Sequence, residues 1–418
     1  MRFPVVPAAA LLACAAGAQS VLTVDDDFQA GADFPCIGFA AQAAADGDTL
    51  LVKDGFYPIT ALPIVRLDGK SLVVQAEVGA AVRVTSLVVS NLAAGQTLVL
   101  RGLEIGTVQL GVDVFGQPDC GGTIVFEDCV LGAHPGLSGI GPPHALTVEG
   151  CTSVSLVRTV IDPGTSLNHF ERAGIEARQS SLFLYDCAVG GGDGQGAGPF
   201  TQPVAGGFAA RLDGGFLYAS GTTFAGGQGG AGGLAQGACA DGGAGGDGLV
   251  LGGGAVVRAL GSSFTAGPGG PLLSCVGQAS PGPDGQATVL APGTVLDLLP
   301  GTPRSFTSTA LVREGQSSVD VFAGQPSELV LQFFAFAPEP GLFLPPFQSA
   351  SLIGGGVFFL DFGPLPPTGI KTVALPVGDL GPGVETVTVY KQPAFVDFAL
   401  PAVTLGPVSA VSLLDAAF

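Results

Sequence analysis

Phe126-Glu127-Asp128-Cys129-Val130-Leu131-Gly132 reads as the end of a hydrophobic run, an acidic corner, one small side chain, a large apolar residue and a glycine. The same order recurs, with small changes, at Leu100–Gly106, Val157–Asp162, Tyr185–Gly190, Ser220–Gly226 and Leu260–Gly267. The large apolar residues are Ile105, Leu131, Ile161, Val189, Phe224 and Phe264, separated by 26, 30, 28, 35 and 40 residues. A short unit repeated with variable insertions is the signature of a solenoid, in which each turn buries its apolar face against its neighbours. Units of about 25 residues with β-type alternation predict a parallel β-helix rather than a helical repeat. Two residues before each anchor the column reads Leu103, Cys129, Thr159, Cys187, Thr222, Ser262, small side chains expected to stack inside a turn.

Composition agrees with an all-β chain. Of 418 residues, 68 are Gly and 32 Pro, the two poorest helix formers, while 47% are hydrophobic. Ample apolar surface argues against disorder. With 15 basic and 34 acidic residues the net charge is −19, and only four residues are Lys. Such a chain has almost no cationic surface for phosphates, which excludes nucleic-acid binding as its business.

Residues 1–18 have the pattern of a secretory signal: Arg2, an apolar stretch from Val5 to Ala16, and Ala16-Gly17-Ala18 as a small-x-small cleavage site. The competing reading makes Cys14 an acylated lipoprotein residue. No other run reaches the roughly 18 apolar residues of a membrane span, so a secreted or extracytoplasmic protein is expected, with cell-surface attachment as a variant of that expectation.

Residues 34–45 form the one good helical window, with Ile37, Ala40, Ala41 and Ala44 on one face. Gly47-Asp48-Thr49, a hydrophobic strand and Gly55-Phe56-Tyr57 follow. A short helix here would cover the open edge of the first coil. This opening resembles that of secreted bacterial right-handed parallel β-helix proteins of the pectate-lyase-like kind, and the resemblance spans roughly residues 22–290. It implies the fold, and it raises polysaccharide lyase or glycoside hydrolase chemistry only by analogy. The chain departs from many such proteins in lacking an asparagine ladder, since its only asparagines are Asn91 and Asn168.

Near residue 295 glycine falls and Pro and Phe rise. About six short strand candidates follow, which suggests a C-terminal β-sandwich-like domain. The expected organisation is therefore a signal at 1–18, a β-helix at 19–295 and the C-terminal domain at 296–418.

The densest polar segment carries His144, Glu149, Arg158, Asp162, His169, Glu171, Arg172, Glu176 and Arg178. Proton abstraction beside a uronate needs a base and a cation that neutralises the carboxylate. His169 with Arg172 or Arg178 could supply these, and a solvated loop between coils is the plainer alternative. Gly242–Val250 fits one copy of a Ca²⁺-binding nonapeptide through Asp247, but a single copy lacks the neighbouring repeat that completes coordination. No cofactor is expected, and Ca²⁺ bound at the acidic surface is the one ion the composition suggests. The histidines show no zinc spacing, and no G-x-S-x-G elbow occurs.

Seven cysteines follow the signal. Cys129 and Cys187 share a column two coils apart, beyond disulfide reach, so both are expected to be buried thiols. Cys120 and Cys151 should stack on adjacent coils within reach of a bridge, and Cys239 with Cys275 form a second candidate pair. Residues 190–206 and 226–247 are expected to be protruding, poorly protected glycine-rich loops. Two functions follow: a non-catalytic structural or adhesive rod meeting extracellular polysaccharide or cell-surface components, or a carbohydrate-active enzyme.

Overall fold

The computed structural model describes residues 19–27, 31–57, 64–111, 120–132, 144–165, 172–198, 201–235, 238–273, 279–342, 351–353, 357–398 and 402–418. The proposed signal, Cys14, His134, His169, Glu171 and Cys275 lie outside them.

Among the described residues, twenty-two strands wind into one parallel sheet that wraps on itself as a three-faced β-helix. The first face runs from Val21–Val24 through Thr49–Val52, Leu72–Ala76, Thr97–Arg101, Cys120–Glu127 and Cys151–Val157 to Val256–Leu260 and Val295–Leu299. The second face is narrow and carries the repeat anchors: Leu131 lies between Ile105 and Ile161, and the column continues through Val189 and Phe224 to Phe264. The third face includes Leu146–Glu149, the strand residues 175–178 and 210–213, Leu249–Gly252 and Thr288–Leu290. The helix Ile37–Ala43 caps the first coil with Ile37, Ala40 and Ala41 buried, as its periodicity predicts.

The corner between the first and second faces explains the residue pattern of the repeat. Gly102, Asp128, Arg158, Asp186, Gly221 and Gly261 all have positive φ there, a conformation that Gly accepts freely and Asp tolerates. The next residue points inward. Cys129, Thr159, Cys187 and Thr222 are buried, and each donates to a backbone carbonyl: Cys129 Sγ to Leu100 O at 3.4 Å, Thr159 Oγ1 to Val157 O at 3.2 Å, Cys187 Sγ to Leu156 O at 3.3 Å and Thr222 Oγ1 to Ser220 O at 3.3 Å. The column that stands in for asparagines is thus hydrogen-bonded as well as packed.

The excursions between the second and third faces are not loose loops. Residues 191–198, 226–235 and 266–273 run outward, and 201–208, 238–248 and 279–287 return. Gly207 donates to Gly192 O at 2.7 Å, Gly227 to Gly207 O at 2.9 Å, Gly246 to Gly227 O at 2.8 Å, Gly267 to Gly246 O at 2.8 Å and Gly285 to Gly267 O at 3.0 Å. This chain of bonds ties outgoing to returning segments. Like segments are also tied, outgoing to outgoing by Gly191 to Ala225 O and Gly226 to Thr265 O, and returning to returning by Gly206 to Ala244 O and Gly245 to Pro283 O. The result is a two-layered bundle of six extended segments.

Within each segment the pattern repeats every third residue, as in a polyproline-II-like helix, which makes no internal hydrogen bonds and projects its amides sideways. Exposed Asp193, Gln228 and Asp241 stand on outer surfaces, whereas the glycines between segments sit against neighbouring backbone. A Cβ on Gly246 would collide with Gly207 O, and one on Gly267 with Gly227 O. Glycine is required here for close approach, and none of these inter-segment glycines has positive φ.

The C-terminal module begins after Leu299. One sheet contains Ser305–Ser308, Ser317–Ala323 and Ile370–Pro376, the other Leu311–Arg313, Ser409–Leu414, Thr386–Asp397, Leu329–Ala335 and Phe358–Pro364. Phe306, Phe322, Val330, Leu365 and Phe395 form a core within the module. It docks sideways on the first face of the β-helix, where Val99, Val125, Phe183 and Tyr218 meet Leu352, Tyr390, Val408 and Ala410.

Candidate functional site

The third face bears a compact polar group where returning segments enter the sheet. Alternation along these strands turns Thr147, Glu176 and Arg211 outward in one stacked column, and Glu149, Arg178 and Asp213 in the next. His144 Nε2 lies 2.6 Å from Glu176 Oε2, and Arg178 Nη2 donates to Glu176 Oε1 at 3.0 Å. The hydrogen bond from His144, the largest cause, and the contact with Arg178 hold the Glu176 carboxyl down at about 2. Phe208 lies beside them, its ring 5.8 Å from that of His144, with the Arg211 guanidinium 4.2 Å above it.

Chemically, Glu176 is a fixed anion rather than a proton donor at neutral pH. It orients the imidazole through Nε2, and Nδ1 is buried without a hydrogen-bond partner. Arg178 is committed to Glu176. Arg172 stands apart: its Nη1 donates to Pro163 O at 3.0 Å, partial burial lowers its pKa, and its carbonyl accepts Gly192 N–H at 2.7 Å. Arg172 and Arg178 therefore serve different local contacts, while His169 lies outside the described residues.

Asp247 anchors backbone. Its Oδ1 accepts Gln286 N–H at 2.7 Å, just as Asp193 accepts Gln228 N–H, Asp241 accepts Ser280 N–H and Asp284 accepts Gly269 N–H. These carboxylates pair with amides of neighbouring bundle segments. Among the described residues, the one cluster with metal-ligand geometry is Asp25, Asp26 and Asp27, where Asp26 accepts Phe56 N–H at 2.9 Å and Asp25 faces Lys53 at 3.6 Å.

A second charged group was hidden within the repeat itself. Glu127, fully buried on the first face, lies 3.0 Å from Arg101 Nη2 and 2.7 Å from Arg158 Nη2. It also accepts Ser409 Oγ–H at 2.6 Å and Ala410 N–H at 3.2 Å from the C-terminal module. Arg158 Nη1 donates to Phe306 O at 2.8 Å, and Arg101 Nη1 donates to Ala410 O. The sequence shows Glu127 only as part of an acidic corner and Arg158 only as part of a polar segment; the docked module makes them a seam.

Cys129 and Cys187 are buried free thiols whose pKa values burial pushes up to about 12. Cys120 and Cys151 stack on adjacent coils, but as two thiols rather than a bridge. Their side chains are hydrogen-bonded, which together with burial raises the Cys151 pKa. The bulge between Cys151 and Ser153 interrupts the register there. Cys239 is disulfide-bonded rather than free, and Cys275, its expected partner, lies outside the described residues.

No protein-family model matches the chain, and no curated protein matches its sequence. Solved structures with some likeness include full-length tailspike protein 2 of an Escherichia coli O157:H7 bacteriophage, at 10% identity and a TM-score of 0.27, covering 90% of this chain and 56% of that one. The enzymatically active domain of bacteriophage CBA120 tailspike protein 2 matches at 9% identity and 0.27, covering 93% and 75%. A Geobacillus virus E2 protein matches at 9% identity and 0.24, covering 80% and 74%. This chain thus spans little more than half the length of the full tailspike, and at these scores the likeness carries no argument about activity. Among the described residues, no helix is long and apolar enough to cross a membrane.

Proposed function

We propose that the chain is a non-catalytic, extracellular β-helix rod that meets polysaccharide or cell-surface components through its exposed faces. The observation that carries this reading is how the charged side chains are used. Arg178 and His144 engage Glu176, Arg172 donates to a carbonyl, Arg101 and Arg158 hold Glu127 at the seam, and the bundle aspartates accept backbone amides. Acid–base chemistry needs groups that are free to exchange protons with a substrate, whereas these are engaged in holding the chain together.

A carbohydrate-active enzyme is the second reading. It is favoured by the His144–Glu176–Arg178 group beside Phe208 and Arg211 on an outer face, where an aromatic ring and two guanidinium groups lie near one anion. The deciding experiment incubates the full chain with a panel of neutral and uronate-containing polysaccharides, scoring binding and new unsaturated or reducing ends separately. Binding without turnover supports the rod. Turnover abolished by Arg172→Ala or Glu176→Gln, in variants that retain the parent melting behaviour, overturns it.

A further inference from the structure

The two ends of the β-helix are built differently. At the N-terminal end the helix Ile37–Ala43 lies over the first coil. At the other end Ser263–Thr265, Thr288–Leu290 and Val295–Leu299 pair with the coil before them and, among the described residues, with no strand on the far side. Leu290 and Leu298 continue the inward-facing positions of Leu251 and Ala259, yet they are 50% and 65% exposed, and neighbouring Val295 is 49% exposed. Among the described residues the chain does not cover this end itself: Pro303 lies against Gly221 and Gly261, and the chain passes from there into the sideways-docked module.

An open coil edge presents backbone donors and acceptors at strand spacing around an apolar centre, so its complement is another open coil edge. Contacts between successive coils join such edges through parallel strands, whereas two copies of this same edge can meet only with their strands antiparallel. The opposite end of a second copy does not fit, because its helix covers it. We infer that the C-terminal end of the β-helix is an interaction surface for the same end of a second copy, joined about a two-fold axis with the edge strands antiparallel. Such an isologous contact closes at two chains.

The side chains at the edge favour this occupant. Strand Val295–Leu299 contains neither Lys nor Pro, the usual guards of a free edge, and its one charge, Asp297, faces Arg258 of its own chain at 3.8 Å. The adjoining edge of the glycine bundle carries exposed Pro268, Pro271, Pro281 and Pro283, which have no N–H to offer. Pairing is thereby directed to the coil.

Light scattering on the full chain during size exclusion tests the surface. The expected result is twice the mass of one chain, falling to the single-chain mass for Leu298→Lys with unchanged circular dichroism and melting. If Leu298→Lys does not fold, Val295→Lys at the neighbouring exposed position carries the same test. A single-chain mass for the parent at every concentration, or a dimer that survives a folded Lys variant, overturns the inference.

Discussion

The wall of the β-helix and the glycine bundle are continuous in sequence but cohere by opposite means. The wall buries side chains: Phe126, Leu156, Leu184 and Ala219 stack coil upon coil in the interior. The bundle buries almost no side chain and is joined backbone to backbone, glycine against glycine. A wall residue therefore matters for what its side chain fills, and a bundle glycine for what it leaves empty. Backbone hydrogen bonds contribute modestly apiece, about 0.5–1.5 kcal/mol net, so the bundle depends on many aligned bonds and on the wall that holds one end of each segment.

That contrast can be broken by mutation. Phe126→Ala should have the largest effect, about 3–5 kcal/mol lost from the whole rod through a cavity in the wall, read as an earlier denaturation midpoint by far-ultraviolet circular dichroism. Gly246→Ala should come next, about 1–3 kcal/mol, because its Cβ meets Gly207 O between layers. Its effect should be local: hydrogen exchange at Gly207, Gly227 and Gly267 amides speeds up while strand amides stay protected. Gly196→Ala, whose Cβ would lie 3.4 Å from Ala231 O, should cost well under that, about 0.5 kcal/mol or less. Equal losses for Gly246→Ala and Gly196→Ala would show that close approach does not hold the bundle.

A further expected effect, read through pH, concerns the charged group at the boundary of the two regions. Glu176 titrates near 2 rather than its ordinary 4.5, because His144 and Arg178 stabilise its ionised form. A depressed folded-state pKa contributes stability that is present above the unfolded value and lost as pH falls through the folded one. The contribution from Glu176 should be complete above about 4.5 and disappear towards about 2. Urea midpoints across that window should fall less steeply for Glu176→Gln than for the parent. Parallel slopes would mean that the ion pairs add nothing to stability.

Much of the wall was legible because a β-helix repeats its physics in sequence. Each coil needs one left-handed corner, one small inward residue and one large apolar anchor, and these recur visibly from Leu103 and Ile105 to Ser262 and Phe264. The cap helix was legible for the same reason, since burial of one helical face leaves a periodic trace. The glycine-rich insertions were legible as loops on one side of the coil, but their joining backbone to backbone was not, although Gly226-Gly227-Gln228-Gly229-Gly230-Ala231-Gly232-Gly233 and Gly242-Gly243-Ala244-Gly245-Gly246-Asp247-Gly248 carry a three-residue period. Two glycines in every three leave two sides of a three-sided segment bare for neighbouring backbone, a signal that can be sought without a structure.

The sequence by itself determined the coil, its register and its inward residues, because burial of a periodic apolar face is a local and repeated demand. Only the tertiary structure decided the partners of the charged groups. Glu127 and Arg101 sit at outward positions of the wall and become buried when the C-terminal module docks, bringing in Ser409 and Ala410 from a separation in sequence of 282 residues or more. His144 meets Glu176 and Phe208 because three successive coils place them side by side. A periodic pattern tells which way a side chain points, but what it meets there depends on which distant backbone the fold lays against it.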